Sequence, residues 1–188
     1  MRLILASASP RRVELLARLG LVADAVDPAD VDESWTPAER PGPHAARLAA
    51  LKAATVAARH PDGVVLAADT VVAVGRRVLP KAETETEARA CLTLLSGRRH
   101  RVFTGVAVIA GGTLRARLSE SVVTFKRLEP PEIDAYLKAG EWHGKAGGYA
   151  VQGYAEAFVR AFSGSWSGVV GLPLFETRAL LRAAGIGA

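Results

Sequence analysis

The sequence predicts an α/β fold, a mixed twisted sheet flanked by helices. Three observations predict it. Short apolar runs that read as buried strands alternate with segments of helical periodicity. Helix boundaries carry start and stop chemistry, from Ser9-Pro10 at one end of the chain to Gly140 near the other. A long hairpin over residues 102–110 and 114–125, turning at Gly111-Gly112, argues against a purely parallel sheet. At 188 residues the chain fits one domain over 1–188, or one domain with two lobes around a central cleft.

The elements follow in order. Leu3-Ile4-Leu5-Ala6 reads as a buried strand. It gives way to a helix with Ser9 as N-cap, Pro10 at the first position, and Val13, Leu16 and Leu19 at helical spacing. Residues 21–26 read as a second strand and 27–43, rich in Pro, Asp and Glu, as a loop. An Ala-Leu helix is expected over 44–59. Residues 64–68 form a buried strand that ends at Asp69-Thr70, with 71–74 as candidates to continue it. Thr84 and Glu87 make a capping box that opens a helix over 84–95. After the hairpin come a helix over 130–139, a Gly-rich loop over 144–153, a strand over 157–162 and a last helix over 174–184.

Composition narrows the function classes. No run of eighteen uncharged apolar residues indicates a transmembrane helix, and the four-residue apolar start followed by a charged helix does not read as a signal peptide. The single cysteine, Cys91, excludes an internal disulfide and sits in a Leu-rich helical stretch, as a core filler would. A cytoplasmic protein is the expectation. The formal net charge of +5 suits anionic ligands but is modest for a nucleic-acid binder, and aromatic content is only 6%, with no basic aromatic strand for base stacking. His44, His60, His100 and His143 show no ligand spacing and read as incidental.

Candidate chemistry begins at the first helix. Its opening turn has unpaired N–H groups and partial positive charge, yet Arg11 and Arg12 occupy it where acids are usual. Either the two arginines point into solvent or an anion such as a phosphate chain rests between them. Asp69, where a buried strand runs out, is either a strand-end cap or a carboxylate that binds metal or polarises water. Lys52 interrupts the apolar stripe Leu48, Lys52, Val56, so it either snorkels or points into a phosphate cleft. Lys81 lies in an apparent turn, Glu33 in the acidic run Asp30-Val31-Asp32-Glu33, and Gln152 among glycines that let a ligand approach the backbone. No Walker pattern, nucleophile elbow or zinc spacing is present.

The order of these motifs is more specific than any one of them. Ser-x-Ser-Pro-Arg-Arg from Ser7 to Arg12, Leu-Ala-x-x-Lys-Ala from Leu48 to Ala53, and Ala68-Asp69-Thr70-Val71-Val72 resemble the Maf family of nucleotide pyrophosphatases. Leu95-Ser96-Gly97, Thr104-Gly105-Val106, the stretch from Lys145 to Gly153, and Val170-Gly171-Leu172-Pro173 extend the resemblance over essentially the whole chain.

The resemblance implies hydrolysis of a nucleoside triphosphate between its α and β phosphates, with a divalent metal, commonly Mg²⁺ and alternatively Mn²⁺. It implies a fold like that of inosine triphosphate pyrophosphatase and a homodimer. It assigns Asp69 as proton acceptor, and Ser7, Arg11, Arg12, Lys52 and Lys81 to the triphosphate. Glu33 and Asp69 would hold the metal. The Asp69-Thr70 pair matches the branch that prefers dTTP and UTP rather than the 7-methyl-GTP branch, which carries Asp-Gln. Arg11, Thr70 and Gln152 then become specificity positions. Two departures stand out: Pro80-Lys81 replaces the family's usual Lys-Pro order, and Gly144 replaces an Asp. Alternative functions are a non-enzymatic regulator of septum formation or cell shape, and a pyrophosphatase for modified purine nucleotides. No membrane or nucleic-acid partner is expected.

Overall fold

The computed structural model describes residues 1–187. In chain order its elements are β1 (Leu3–Leu5), α1 (Pro10–Ala17), β2 (Ala25–Val26), α2 (Pro41–Ala57), β3 (Val64–Val74), β4 (Arg77–Leu79), β5 (Lys81–Ala82), α3 (Glu85–Leu95), β6 (Arg99–Ala110), β7 (Thr113–Phe125), α4 (Pro130–Ala139), β8 (Lys145–Ala146), a 3₁₀ turn (Tyr154–Phe158), β9 (Val159–Ser163), α5 (Trp166–Val170) and α6 (Leu174–Ala183). The main sheet has the order β2-β1-β3-β6-β7-β9, with β4 paired to β3. It is mixed, as expected: β1 runs parallel to β2 and β3, whereas β4 and β9 are antiparallel to their neighbours. The chain divides into two compact units, Met1–Thr70 with Phe103–Ser119 and Ser165–Ala188, and Val71–Val102 with Glu120–Gly164. Strands β3, β6 and β7 pass through both.

The first unit packs helices on both faces of its strands. Leu3 and Leu5 of β1 and Leu66 and Ala68 of β3 join Leu15 and Leu16 of α1 and Leu180 and Leu181 of α6. The alternate residues Ile4, Ala6, Val65 and Ala67 join Ala49, Ala53 and Val56 of α2. This is the period-2 geometry of a strand buried on both sides. Gly105 of β6 allows α2 to come close, because a Cβ there would lie 2.4 Å from the Ala45 carbonyl oxygen.

In the second unit β5 and β8 form a two-stranded ribbon, Lys81 opposite Ala146. The capping box of α3 forms as expected, Glu87 N–H donating to Thr84 Oγ1 at 3.2 Å and Thr84 N–H to Glu87 Oε2 at 3.0 Å. Helix α4 ends at Gly140 with φ 71°, a left-handed cap. Its core is aromatic: His100 is 1% exposed, bonds Tyr149 Oη through Nε2 at 2.8 Å and meets Phe125 edge-on. His100 is thus not incidental. Cys91 is buried, as a core filler should be, and burial raises its thiol pKa.

Several expectations need correction. Residues 71–74 do continue the strand, so β3 runs unbroken through Asp69, which lies inside it rather than at its end. Lys81 is in β5, not a turn. Helix α2 starts at Pro41, three residues before the expected position, because Pro suits a first helical turn and Pro41 and Gly42 are buried. Only Ala25–Val26 of 21–26 is strand. Leu16 is buried as expected, but Val13 is 40% exposed and Leu15 is buried in α1 in its place. Ser9 caps by position but makes no side-chain cap bond. The expected strand over 157–162 opens as the 3₁₀ turn, and α5 was not foreseen.

Burial pushes the His100 pKa down from 6.5 to about 4. Between those values the unfolded chain binds the proton and the folded one does not. His100 therefore stabilises the fold fully above pH 6.5, and that stability drains away as pH falls to about 4, by about 3 kcal/mol. Urea unfolding between pH 4 and 7 should show this slope in the wild type. The difference curve against His100→Gln should isolate it; a pH-independent difference would refute the assignment.

Candidate active site

The alternation of β3 dictates the site. Val65 and Ala67 face α2, so Asp69 faces it as well, and Lys52 of α2 meets it there. Lys52 Nζ lies 2.6 Å from Asp69 Oδ1 and 2.5 Å from Glu33 Oε1. Asp69 is 4% and Lys52 8% exposed, whereas the Glu33 side chain is 40% exposed. The lysine does not snorkel: it is a buried ammonium that bridges two carboxylates. An aspartate suits a central strand poorly, and this ammonium is what compensates its burial.

Glu33 reaches the lysine from a loop that is itself tied down. Arg47 donates through Nε and Nη2 to both oxygens of Glu39, at 2.7 and 2.9 Å, and through Nη2 to the Ser34 carbonyl at 2.9 Å. Arg47 holds the Glu39 carboxyl well below the usual carboxylate range. His44, 3% exposed, bonds Glu39 through Nδ1 at 2.7 Å and stacks on Trp35 with ring centroids 3.6 Å apart. Sequence reading missed this anchor. The loop looked merely acidic and His44 incidental, and no spacing signal joins Glu39, His44 and Arg47.

The even residues of β3 face the other way, toward α1. Thr70, half-buried, continues that row and meets Arg12. The Arg12 guanidinium donates through Nε to the Gly171 carbonyl at 2.8 Å, through Nη1 to Ser7 Oγ at 3.0 Å and through Nη2 to Thr70 Oγ1 at 3.5 Å. Ser7 Oγ also accepts from the Ser9 N–H at 3.2 Å. Both lone pairs of this buried hydroxyl are therefore filled, and only its proton remains to give. Arg12 has two of its five N–H groups left. Arg11 is half-buried, and its guanidinium makes no hydrogen bond among the described residues. The uncommitted side-chain groups of Ser7, Arg11 and Arg12 are thus all donors, chemistry that suits an anion. Burial lowers the pKa of both arginines; Asp69 and Glu33 act in the opposite direction on Arg12, and Glu14 on Arg11.

The other two candidates belong to the second unit. Lys81 is exposed on β5. Gln152 is exposed in a turn closed by the Gly153 N–H to Ala150 carbonyl bond of 3.1 Å. Beside it, Glu141 Oε2 accepts from the Tyr154 N–H at 2.8 Å. No group of three or more His, Cys, Asp or Glu side chains arranged for a metal occurs among the described residues. Two hard carboxylates converging on one cation do fit the way Mg²⁺ is usually held, by one or two protein carboxylates plus substrate oxygens.

Fold and site define an α/β protein with an arginine-bearing turn on one face of a strand and, on the other, an Asp–Lys–Glu cluster whose aspartate and lysine are buried. The model of the Maf-like protein family matches residues 2–184, and the chain belongs to that family. It is similar to a protein named dTTP/UTP pyrophosphatase from Novosphingobium aromaticivorans, 64% identical over 98% of this chain and 92% of that one. Proteins of the same name from Maricaulis maris and Caulobacter vibrioides are 60% and 59% identical, over 98% and 97% of this chain and 88% and 95% of theirs. Among solved structures, a HAM1 protein from Coxiella burnetii aligns with 68% of this chain and 74% of its own at TM-score 0.49 and 16% identity. Among the described residues no helix is long and apolar enough to cross a membrane.

Removing the ammonium strands a buried carboxylate. Lys52→Met should destabilise the first unit by about 3–5 kcal/mol, and Asp69→Asn in that background should recover much of the loss. A double-mutant cycle by urea denaturation checks this, and strictly additive effects would contradict the pairing.

Proposed function

We propose that this protein hydrolyses nucleoside triphosphates, dTTP and UTP first among them, to the monophosphate and pyrophosphate. The observation that carries the reading is the donor-only turn of Ser7, Arg11 and Arg12 beside the Asp69–Lys52–Glu33 cluster, in a chain whose close relatives bear that activity in their names. A triphosphate is an anion that donors of this kind can bind.

In the proposed reaction Asp69 accepts a proton from water as the water oxygen attacks the α phosphorus. The bond from that phosphorus to the bridging oxygen breaks, and pyrophosphate leaves with the electron pair. Ser7, Arg11 and Arg12 donate to phosphate oxygens and stabilise the charge that builds on the leaving group. Lys52 orients Asp69 and Glu33 and has one further N–H to offer the phosphate chain. Lys81 is assigned to the triphosphate, and Arg11, Thr70 and Gln152 to base preference, by their place in the family motifs. Glu33 and Asp69 would hold a divalent cation, Mg²⁺ or alternatively Mn²⁺. When bound, such an ion supplies Lewis-acid stabilisation of phosphoryl oxygens. A cytoplasmic homodimer completes the proposal.

Pyrophosphate release from dTTP and UTP with Mg²⁺ tests it. Wild type should turn both over, chelation of the metal should stop the reaction, and Asp69→Asn should lower kcat on the order of 10²–10⁴-fold. No release from any nucleotide would sink the activity. Undiminished release by Asp69→Asn would sink the assigned base alone.

A further inference from the structure

Thr104, in the Thr104-Gly105-Val106 stretch, has no part in the chemistry above, yet it is polar and only 1% exposed. Its Oγ1 lies 2.7 Å from the Gly168 carbonyl oxygen and 3.0 Å from Thr70 Oγ1. A carbonyl can only accept, so the single proton of Thr104 is committed to Gly168. The bond between the two threonines must then run from Thr70 to Thr104. With its own proton spent, Thr70 can present only lone pairs to Arg12, whose Nη2 lies 3.5 Å away. Arg12 in turn donates through Nε to Gly171, three residues past Gly168. The bonds therefore close a ring: Arg12 to Thr70, Thr70 to Thr104, Thr104 to Gly168, and the short link through α5 back to Gly171 and Arg12.

We propose that Thr104 is a positioning residue. Through the fixed direction of this hydrogen-bond ring it holds the Arg12 guanidinium so that its two uncommitted N–H groups face the phosphate chain. Without the Thr104 oxygen, the Thr70 proton loses its acceptor and its hydroxyl can turn that proton toward Arg12, which opposes the Arg12 bond. Gly171 adds the other restraint. Its φ of 133° is strained for any other residue, so the carbonyl that receives Arg12 Nε depends on glycine there. This role rests on the reading of Arg12 as a phosphate ligand.

The test compares Thr104→Val, which keeps the shape and removes the hydroxyl, with Thr104→Ser, which keeps the hydroxyl. Calorimetric binding of inorganic tripolyphosphate reads the Arg12 face directly, and steady-state turnover of UTP and CTP reads the base. Thr104→Val should weaken tripolyphosphate binding and raise the KM for UTP on the order of tenfold, by analogy with the loss of a group that orients a metal ligand. The UTP-to-CTP preference should stay unchanged, and Thr104→Ser should recover most of the binding. Thr70→Val breaks the same ring at a half-exposed residue. It should match the binding loss of Thr104→Val, and it carries the binding test alone if Thr104→Val does not fold.

Unchanged tripolyphosphate affinity in Thr104→Val or Thr70→Val would overturn the proposal. So would equal losses in Thr104→Val and Thr104→Ser, or a shift confined to the UTP-to-CTP ratio. Wild-type protein that binds tripolyphosphate but hydrolyses no nucleotide would overturn the pyrophosphatase reading while leaving this binding test decisive. Wild-type protein that does not bind tripolyphosphate would overturn both.

Discussion

The contact on which the first unit depends is the Lys52 ammonium set between Asp69 and Glu33. A carboxylate in a strand packed on both faces is tolerated only with a partner, and the partner comes from a helix across the sheet face. That helix reaches the sheet because Gly105 has no side chain to hold the Ala45 backbone away. Glu33 reaches the same ammonium because Arg47, bonded to Glu39 and the Ser34 carbonyl, fixes its loop. A strand position, a helix approach and a loop anchor thus converge on one charge. The three groups sum to a formal charge of minus one, which acts on the neighbouring Arg12 guanidinium.

Legibility in the sequence followed the range of the interaction. The hairpin at Gly111-Gly112, with φ of 52° and 73°, was readable because two consecutive left-handed residues are demanded locally. The box of Thr84 with Glu87 and the Gly140 cap were readable for the same reason. What failed was set at long range. Asp69 and Thr70 looked like the end of a strand because Asp is a poor strand residue. Lys52, seventeen positions earlier, reverses that preference. Lys81 looked like a turn because its pairing partner, Ala146, is remote in the chain.

The site was legible as a set of residues and illegible as a set of directions. The spacing of Lys52 showed that a charge interrupts an apolar stripe, but not that two carboxylates already hold it. Ser7 and Arg12 could be placed at the helix start from sequence. That Ser7 has only its proton left to give, and Arg12 only two N–H groups, depends on Ser9, Thr70 and Gly171. Thr104 gave no signal beyond its motif, because its importance lies in which way a hydroxyl points.

The same strand explains why the acidic cluster does not quench the basic turn. Asp69 and Thr70 are consecutive, so they leave β3 on opposite faces, one toward α2 and one toward α1. Arg12 feels the charge of Asp69 and Glu33 but bonds neither; its internal partners, the Ser7 and Thr70 hydroxyls and the Gly171 carbonyl, are all neutral. A one-residue slip of β3 would turn the carboxylate toward Arg12 and replace the threonine, committing the guanidinium to an internal ion pair. Neutral partners orient the guanidinium without spending its charge. A carboxylate partner would do both, so the placement of Asp69 and Thr70 keeps a carboxylate and a guanidinium adjacent yet unpaired.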